Sequence, residues 1–180
     1  MDKAFKYDVI VCTFNGASFI SSQLGSILSQ AILPQKIIVS DDGSCDETLS
    51  VVRNTFANAN FTAYDIIQGP RKGVIANFLF ALKYSEADFT FLADQDDIWH
   101  LDKVERMVEV LNHHPEIKTL ASSFNFVDGQ GKPFSIEQKK GYSNQNLLHK
   151  DVINEIERGD LSLVKITNFS QGCCMAVRKE

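Results

Sequence analysis

The sequence alternates, four times over, between short apolar segments with β-strand character and longer segments whose apolar residues recur at helical spacing. The strand-like segments are residues 7–12, 36–40, 61–68 and 88–93. The helix-like segments are residues 17–30, 45–57, 74–84 and 101–113. This order is typical of a parallel sheet whose connections are helices, and almost continuously apolar strands are buried on both faces. We therefore predict an α/β fold with a mostly parallel, Rossmann-like central sheet and helices on both of its faces.

The remainder of the chain carries weaker patterns. Residues 117–128 could form a fifth strand, and the polar residues 129–150 are typical of a long loop. Asp151 and Glu155 lie in an amphipathic helical pattern. Because 180 residues are enough for one domain with a buried core, we predict a single domain over residues 1–180.

Charge and composition exclude some classes of function. A net charge of −5 argues against a nucleic-acid partner, and no apolar run approaches the roughly 20 residues of a transmembrane helix. The cysteines at positions 12, 45, 173 and 174 form neither a disulfide framework nor a CxxC metal pair. Free thiols indicate a reducing compartment, so we expect a cytoplasmic protein.

Polar side chains follow three of the four predicted strands. Thr13 and Asn15 follow the first, Asp41 and Asp42 the second, and Asp94, Asp96 and Asp97 the fourth. In an open parallel sheet, ligands bind in the crevice beyond the carboxyl ends of the strands. All parallel strands point the same way, so we expect these three clusters to meet at one edge of the sheet.

The residue types in these clusters indicate the chemistry of the ligand. Clustered carboxylates are tolerated when a cation lies among them, and oxygen ligands favour Mg²⁺ or Mn²⁺. One or two carboxylates combined with substrate phosphates form a typical Mg²⁺ site. The Asp41–Asp42 pair is suited to accept hydrogen bonds from a ring N–H or a ribose hydroxyl. Together these features predict a site for a nucleotide whose diphosphate is bound through a metal.

Each cluster also has a purely structural interpretation. The stretch from Asp41 to Ser44 could be a turn that leads into a helix cap, because its residues favour both. The stretch from Asp94 to Asp97 could be a solvated loop before a helix start, where negative charge is favourable. Trp99, taken alone, is more often a core residue than a ligand contact.

Four segments in order resemble the nucleotide-binding half of a family 2 glycosyltransferase. They are VIVCTFNGASFISSQLGSILSQ, IIVSDDGSCDETL, GVIANFLFALKYS and FTFLADQDDIWHLDKVERM. The resemblance covers residues 7–112, and NFSQGCCMAVRKE at the end of the chain is a weaker match. It implies a GT-A fold, a nucleotide-sugar donor and inversion at the anomeric carbon. The DQDDIW sequence is most similar to bacterial rhamnosyltransferase-like enzymes that build surface polysaccharides.

On the nucleoside side, the resemblance assigns roles to residues of the first two loops. Thr13, Phe14 and Asn15 resemble the loop that lies along the base and the ribose. Asp42 resembles the aspartate that accepts a hydrogen bond from the pyrimidine ring, and Asp41 and Ser44 support its loop. Asn77 matches an asparagine that lies near the nucleotide.

On the diphosphate side, Asp94, Gln95 and Asp96 resemble the DxD motif. In that motif the first aspartate faces the ribose, and the last binds the metal and through it the diphosphate. Asp94 and Asp96 are therefore the expected ligands of Mg²⁺ or Mn²⁺. Asp97 and Trp99 resemble residues that shape the sugar side of the site.

The resemblance also implies partners and a division of the chain. The expected donor is a UDP- or dTDP-sugar, and the expected acceptor is a glycan or a lipid-linked saccharide, which could hold the protein at the inner face of the membrane. Residues 1–112 correspond to the donor-binding half and residues 113–180 to the start of the acceptor-side half. The family's general base lies beyond the position matched by Glu180, so we expect a chain truncated at its C-terminus.

Two other functions remain open from the sequence. A sugar nucleotidyltransferase has a similar α/β layout and metal chemistry, but it needs a glycine-rich loop with a basic residue to bind a triphosphate. The loop after the first strand reads TFNGA, which lacks that signature. The other alternative is a non-catalytic nucleotide-binding module that lacks a general base.

Overall fold

A computed structural model describes residues 5–122, 124–134 and 174–179. The strands are β1 (Tyr7–Thr13), β2 (Lys36–Asp41), β3 (Tyr64–Gln68), β4 (Phe89–Asp94), β5 (Thr119–Ala121), β6 (Phe126–Val127), β7 (Pro133–Phe134) and β8 (Met175–Arg178). The helices are α1 (Ile20–Leu28), α2 (Thr48–Asn58), α3 (Val74–Ala81) and α4 (Lys103–His113). Six strands form the main sheet in the order β3-β2-β1-β4-β8-β5.

The centre of the sheet is parallel, as predicted. β1 lies between β2 and β4 and pairs with both in parallel, and β2 pairs in parallel with β3. β8 pairs with β4 in the antiparallel sense. Every residue of β1 is buried, which is why, apart from Asp8 and Thr13, its sequence is apolar on both faces rather than alternating.

Helices cover both faces of this sheet, which confirms the predicted α/β architecture. Tyr7, Val9 and Val11 point to one face and pack in a core with apolar residues of α1, α2 and α4. Ile10 points to the opposite face, where α3 contacts β1 and β2.

Several elements begin later in the sequence than their apolar pattern predicts. Their first predicted residues form contacts between loops instead of the helix or strand. The first helix begins at Ile20 and the second at Thr48, after residues that bind each other across the two loops. The third strand begins at Tyr64 rather than at Phe61, because Phe61 donates its N–H to Phe56 in the turn that ends α2 (3.0 Å). The third helical segment ends as a short 3₁₀ helix over Leu82–Tyr84.

The predicted fifth strand over residues 117–128 is wrong as one element. The structure has β5 in the main sheet and β6 in a separate two-stranded hairpin with β7. Polar residues at 122 and 125 interrupt the apolar pattern between β5 and β6. In the hairpin turn, the Asp128 carboxylate accepts the N–H groups of Gln130 and Lys132, both at 2.9 Å.

The chain divides into two compact units. The first comprises residues 1–120 and 176–180 and contains the parallel strands and all four helices. The second comprises residues 121–175, and its described part contains the hairpin. Most of the predicted loop 129–150 and the helical pattern around Asp151 and Glu155 lie outside the described residues. The division into donor and acceptor halves at residue 112 stays a prediction.

A search of the described residues for a helix long and apolar enough to cross a membrane finds none.

The core on the face of α1, α2 and α4 depends on Phe91, which is fully buried between Tyr7 and Trp99. We expect Phe91→Ala to lower the free energy of unfolding by about 3–5 kcal/mol, because it removes a large apolar contact and leaves a cavity. Urea denaturation measures this change. The matched control Leu101→Ala, at a side chain that is 68% exposed, should stay within about 0.5 kcal/mol of the parent. A cost below about 1 kcal/mol for Phe91→Ala would contradict this account of the core.

Candidate functional site

The carboxyl ends of the first, second and fourth strands lie level with one another. Thr13 is paired with Asp41 across β1 and β2, and Cys12 is paired with Asp94 across β1 and β4. On the other side of β2, Asp41 is also paired with Gln68 of β3. The expectation that the three polar clusters meet at one edge of the sheet is therefore confirmed.

A cleft of about 780 Å³ opens at this edge, within the first unit. Seven of the twelve predicted site residues line it: Thr13, Phe14, Asp42, Asn77, Asp94, Gln95 and Asp96. Five predicted residues do not line it: Asn15, Asp41, Ser44, Asp97 and Trp99. Five residues that the sequence did not single out do line it: Cys12, Gly43, Arg71, Gly73 and Val74.

The loop after β1, residues 13–17, is held by side chains of two other loops. Four consecutive backbone N–H groups donate to side-chain oxygens: Phe14 to Gln95 (2.9 Å), Asn15 to Ser44 (2.8 Å), Gly16 to Thr48 (2.8 Å) and Ala17 to Asp46 (3.1 Å). Amides that already have protein acceptors do not form a free anion-binding loop. We call this loop, residues 13–17, the β1 loop.

Asp41 is the buried centre of the support beneath the β1 loop. One carboxylate oxygen accepts the hydroxyls of Thr13 (2.9 Å) and Ser44 (2.5 Å). The other accepts the N–H groups of Gly43 (3.1 Å) and Ser44 (2.9 Å). Four hydrogen bonds offset the desolvation of the charge. The suggested turn at Asp41 is thus present, but the helix behind it starts only at Thr48.

Asn15 and Ser44 take part in the same support rather than in the cleft. The Asn15 side-chain oxygen accepts the N–H of Cys45 at 2.9 Å. Asp46 accepts the N–H of Thr48 (3.0 Å) and its hydroxyl, and the hydrogen bond from that hydroxyl lowers the pKa of Asp46. The residues between β2 and α2 therefore position the β1 loop.

Asp42 faces the cleft from the other side and holds the loop between β3 and α3. Its two oxygens accept the N–H groups of Arg71 (2.6 Å) and Gly73 (2.8 Å). A Cβ atom on Gly69 would lie 2.5 Å from the Asn77 side-chain oxygen and 2.9 Å from an Asp42 oxygen. Only glycine leaves room there for both side chains.

Asn77 reaches the cleft from α3 and is almost fully buried. Its side-chain oxygen accepts the Ser40 hydroxyl at 2.6 Å, and its amide nitrogen donates to the Ser40 carbonyl at 2.8 Å. This pair fixes α3 against β2. Asn77 therefore has a structural role that is independent of any ligand.

The carboxylates of the fourth-strand loop face the cleft and give it negative potential. Asp94 is half-buried and Asp96 is exposed, and both line the cleft. Burial, together with the negative charges of Asp94 and Asp42, raises the pKa of the Cys12 thiol on the cleft wall far above its ordinary value. That thiol stays protonated at neutral pH.

The chemistry of the Asp94 and Asp96 carboxylates fits a divalent cation. Within the described part of the chain, no three His, Cys, Asp or Glu side chains come together as a complete metal site. Proteins commonly hold Mg²⁺ through one or two carboxylates together with phosphate oxygens of a ligand. Asp94 and Asp96 are the two residues that fit.

Arg71 was missed by the sequence interpretation. It lies in the loop after β3 with a positive φ of 58°, and its side chain packs over Gly43, whose Cβ position lies 3.0 Å from Nε. Among the described residues that line the cleft, it is the only basic one. The sequence signal for it is the basic pair Arg71 and Lys72, which follows the third predicted strand.

Trp99 and Asp97 lie outside the cleft. Trp99 is 4% exposed and belongs to the core, where its ring lies 6.0 Å from that of Phe91. Its backbone N–H donates to the Ser26 hydroxyl at 2.9 Å. Trp99 therefore lies where the structural interpretation placed it, in the core. Asp97 is half-buried and follows the cleft residue Asp96 in the sequence.

A search of solved structures finds the same architecture. The structure of S. aureus TarS 1-349 in complex with UDP-GlcNAc aligns with a TM-score of 0.59 at 26% identity, over 74% of this chain and 37% of that chain. This likeness agrees with the GT-A fold that the sequence resemblance implies.

Curated relatives give the same assignment. The dTDP-rhamnosyl transferase RfbG of Shigella flexneri is 32% identical over 106 residues, which is 56% of this chain and 36% of the relative. The GalNAc(5)-diNAcBac-PP-undecaprenol beta-1,3-glucosyltransferase of Campylobacter jejuni is 36% identical over 94 residues, 52% of this chain and 30% of the relative. The chain thus spans about a third of the length of these two relatives.

The model of the family described as "Glycosyl transferase family 2" matches residues 8–180, nearly the whole sequence. The strand order, the cleft at the carboxyl edge and the curated relatives all agree with this match. The chain belongs to glycosyl transferase family 2.

Proposed function

We propose that this protein binds a nucleoside diphosphate sugar in the cleft and transfers the sugar, with inversion and with a divalent metal, to a hydroxyl of a glycan or lipid-linked saccharide. The observation that carries the proposal is the cleft itself. Phe14, Asp42, Asp94 and Asp96 line it together, on loops that follow three strand ends of one sheet. An aromatic ring, a carboxylate acceptor and two further carboxylates suit a ligand with a base and a diphosphate.

On the nucleoside side, Phe14 and Asp42 offer complementary contacts. The Phe14 side chain is 55% exposed, although large apolar rings are usually buried, so it is free to pack against a base. Each oxygen of Asp42 accepts one backbone N–H, and a carboxylate oxygen has a second lone pair. Uracil and thymine both present a ring N–H to such an acceptor, which supports UDP and dTDP as donors.

Arg71 supplies the positive charge that a diphosphate requires. Its guanidinium packs over Gly43 beside the cleft, and a guanidinium is well suited to bind phosphate oxygens. The backbone of Arg71 is itself held by Asp42. The carboxylate that would bind the base therefore also holds the loop whose Arg71 would bind the phosphates.

On the diphosphate side, Asp94 and Asp96 would hold Mg²⁺ or Mn²⁺. When bound, the metal stabilises the negative charge that develops on the departing nucleoside diphosphate. Asp94 and Asp96 would fix its position at the carboxyl end of β4.

The state of the β1 loop argues against a sugar nucleotidyltransferase. Such an enzyme needs backbone amides to bind a triphosphate, but the four amides from Phe14 to Ala17 all have side-chain acceptors. Freeing them would break their contacts with Ser44, Asp46, Thr48 and Gln95. A glycosyltransferase does not need those amides.

The acceptor is proposed from the relatives. The C. jejuni relative is named as a glucosyltransferase that acts on a PP-undecaprenol-linked saccharide, and the S. flexneri relative is named as a dTDP-rhamnosyl transferase. A lipid-linked acceptor would bring this protein to the inner face of the membrane from the cytoplasm. The general base is proposed to come from outside the residues that line the cleft.

Product analysis distinguishes the three functions. With the whole protein, which would supply the general base, we expect incubation with UDP-glucose or dTDP-rhamnose, Mn²⁺ and lipid-linked saccharide acceptors to release nucleoside diphosphate and form glycoside. Incubation with UTP and glucose 1-phosphate should release no pyrophosphate. Pyrophosphate release would instead establish a nucleotidyltransferase, and donor binding without any turnover would establish a binding module. NMR of the product glycoside reports whether the anomeric configuration is inverted.

The metal has a direct consequence for affinity. We expect UDP to bind at least about tenfold more weakly in EDTA than in Mn²⁺, because its phosphates would then face Asp94 and Asp96 unscreened. Isothermal titration calorimetry measures both affinities. The Asp96→Asn variant should lose most of the difference. Equal affinities of the parent protein with and without Mn²⁺ would remove the proposed role of these two aspartates.

Asp42 provides a separate test of the nucleoside side. We expect Asp42→Asn to weaken UDP binding by about 1.5–3 kcal/mol, because an amide has one acceptor oxygen where the carboxylate has two and carries no charge. The dependence on Mn²⁺ should persist. The control Asp65→Asn removes an exposed ion pair with Lys36 and should leave UDP binding unchanged. Parent-like UDP affinity in Asp42→Asn would contradict the proposed contact with the base.

A further inference from the structure

Gln95 lies between the two proposed metal ligands, yet its side chain is turned to the β1 loop. Its side-chain oxygen accepts the N–H of Phe14 at 2.9 Å, and its amide nitrogen donates to the carbonyl of Phe14 at 3.1 Å. The two residues are 81 positions apart in the sequence. Both polar atoms of the side chain are thus bound to one residue, which fixes the distance and the orientation between the two loops.

Gly16 makes room for this contact. A Cβ atom on Gly16 would lie 2.1 Å from the side-chain oxygen of Gln95 and 2.5 Å from its amide carbon. The backbone of Gly16 is not in the left-handed region, so glycine here leaves space for the Gln95 amide group rather than providing a special backbone conformation. The amide group of Gln95 therefore lies directly against the β1 loop.

The rest of the β1 loop is held independently of Gln95. Residues of the β2–α2 loop accept the N–H groups of Asn15, Gly16 and Ala17, and Asp41 accepts the Thr13 hydroxyl. Loss of Gln95 would therefore leave the nucleoside side in place. What it would change is the position of the turn that carries Asp96 relative to that side.

We infer that Gln95 is a positioning residue that couples the two ends of the donor site, an inference that rests on the proposed function. By pairing with the backbone of Phe14, it sets the separation between the ring that packs on the base and the aspartates that face the diphosphate. A donor then meets both ends at the separation that its own covalent structure requires. The metal adds to nucleotide affinity only when that separation is correct.

The residue type agrees with this role. Glutamate in place of Gln95 could accept the Phe14 N–H but could not donate to its carbonyl, and it would add a fourth negative charge to Asp94, Asp96 and Asp97. Asparagine is one methylene shorter. Methionine keeps the length and removes both hydrogen bonds, so Gln95→Met is the appropriate variant.

The readout is the ratio of the UDP dissociation constant in EDTA to that in Mn²⁺, measured by calorimetry. We expect Gln95→Met to lower this ratio by about fivefold or more, the lower range of coupling between two sites, while the affinity in EDTA changes less than about twofold. The control Gln35→Met alters an exposed glutamine that precedes β2 and should keep the parent ratio. A Gln95→Met ratio within about twofold of the parent, or an equal loss in both conditions, would overturn the inference.

A second variant reaches the same contact without changing Gln95. Gly16→Ala should displace the flexible end of the Gln95 side chain and lower the ratio as Gln95→Met does. The double variant should lower the ratio no further than either single variant does, because both substitutions remove the same contact between Gln95 and the β1 loop. Additive losses would overturn the inference.

A measurement without ligand separates this inference from the proposed function. Amide hydrogen exchange of Phe14 should become about tenfold faster in Gln95→Met, whereas that of Asn15, which is held by Ser44, should not change. Unchanged exchange of Phe14 would overturn the contact itself. Failure of the parent protein to bind UDP would overturn the proposed function and the coupling to a donor, and exchange would still decide whether Gln95 holds the β1 loop.

Discussion

The level pairing of β1 with its two parallel neighbours is the constraint on which the rest of the structure depends. Thr13 is paired with Asp41, and Cys12 with Asp94, so three loops that are distant in sequence start from one row of the sheet. A shift of one residue in either ladder would turn every side chain of a strand to the other face. The fully buried, apolar β1 prevents that shift, because its two faces pack against different helices.

Beyond the ends of the strands, many backbone N–H and C=O groups have no partner within the sheet and need hydrogen bonds from elsewhere. Here polar side chains do so, and most of them reach across loops rather than along them. Asp41 accepts four hydrogen bonds beneath the β1 loop, and Asp42 accepts two from the loop that precedes α3. Carboxylates bound in this way are held in fixed positions before any ligand arrives. Such preorganisation lowers the free-energy cost of binding.

The fold was predictable because it depends on patterns that are local in sequence. The apolar strands and the helical spacing each extend over several residues, and parallel order then brings Thr13, Asp42 and Asp94 to one edge. The element boundaries were less predictable, because side chains of Ser44, Asp46 and Thr48 bind the β1 loop and α2 begins only at Thr48. No local pattern reveals that competition.

Within the site, the orientation of individual side chains was the part that the sequence could not supply. Asn15 and Gln95 were predicted to contact the ligand. Instead, Asn15 binds Cys45, 30 residues away, and Gln95 binds Phe14, 81 residues away. Trp99 lies next to the aspartates in sequence and packs into the core, because a large ring is stabilised more by burial than by exposure. Arg71 lines the cleft because Asp42 accepts its backbone N–H and holds its loop. That contact between distant residues exists only in the folded chain.

The central claim is that the cleft at the carboxyl edge of β1, β2 and β4 binds the nucleoside diphosphate. An ¹H–¹⁵N NMR titration with UDP and Mg²⁺ tests this most directly, because it reports on every backbone amide at once. The account predicts that the largest shifts occur at Phe14, Asp42, Arg71 and Asp96, with little change in the amides at the amino ends of the same strands. Saturable shifts that leave these four amides unchanged and cluster elsewhere on the protein would contradict it.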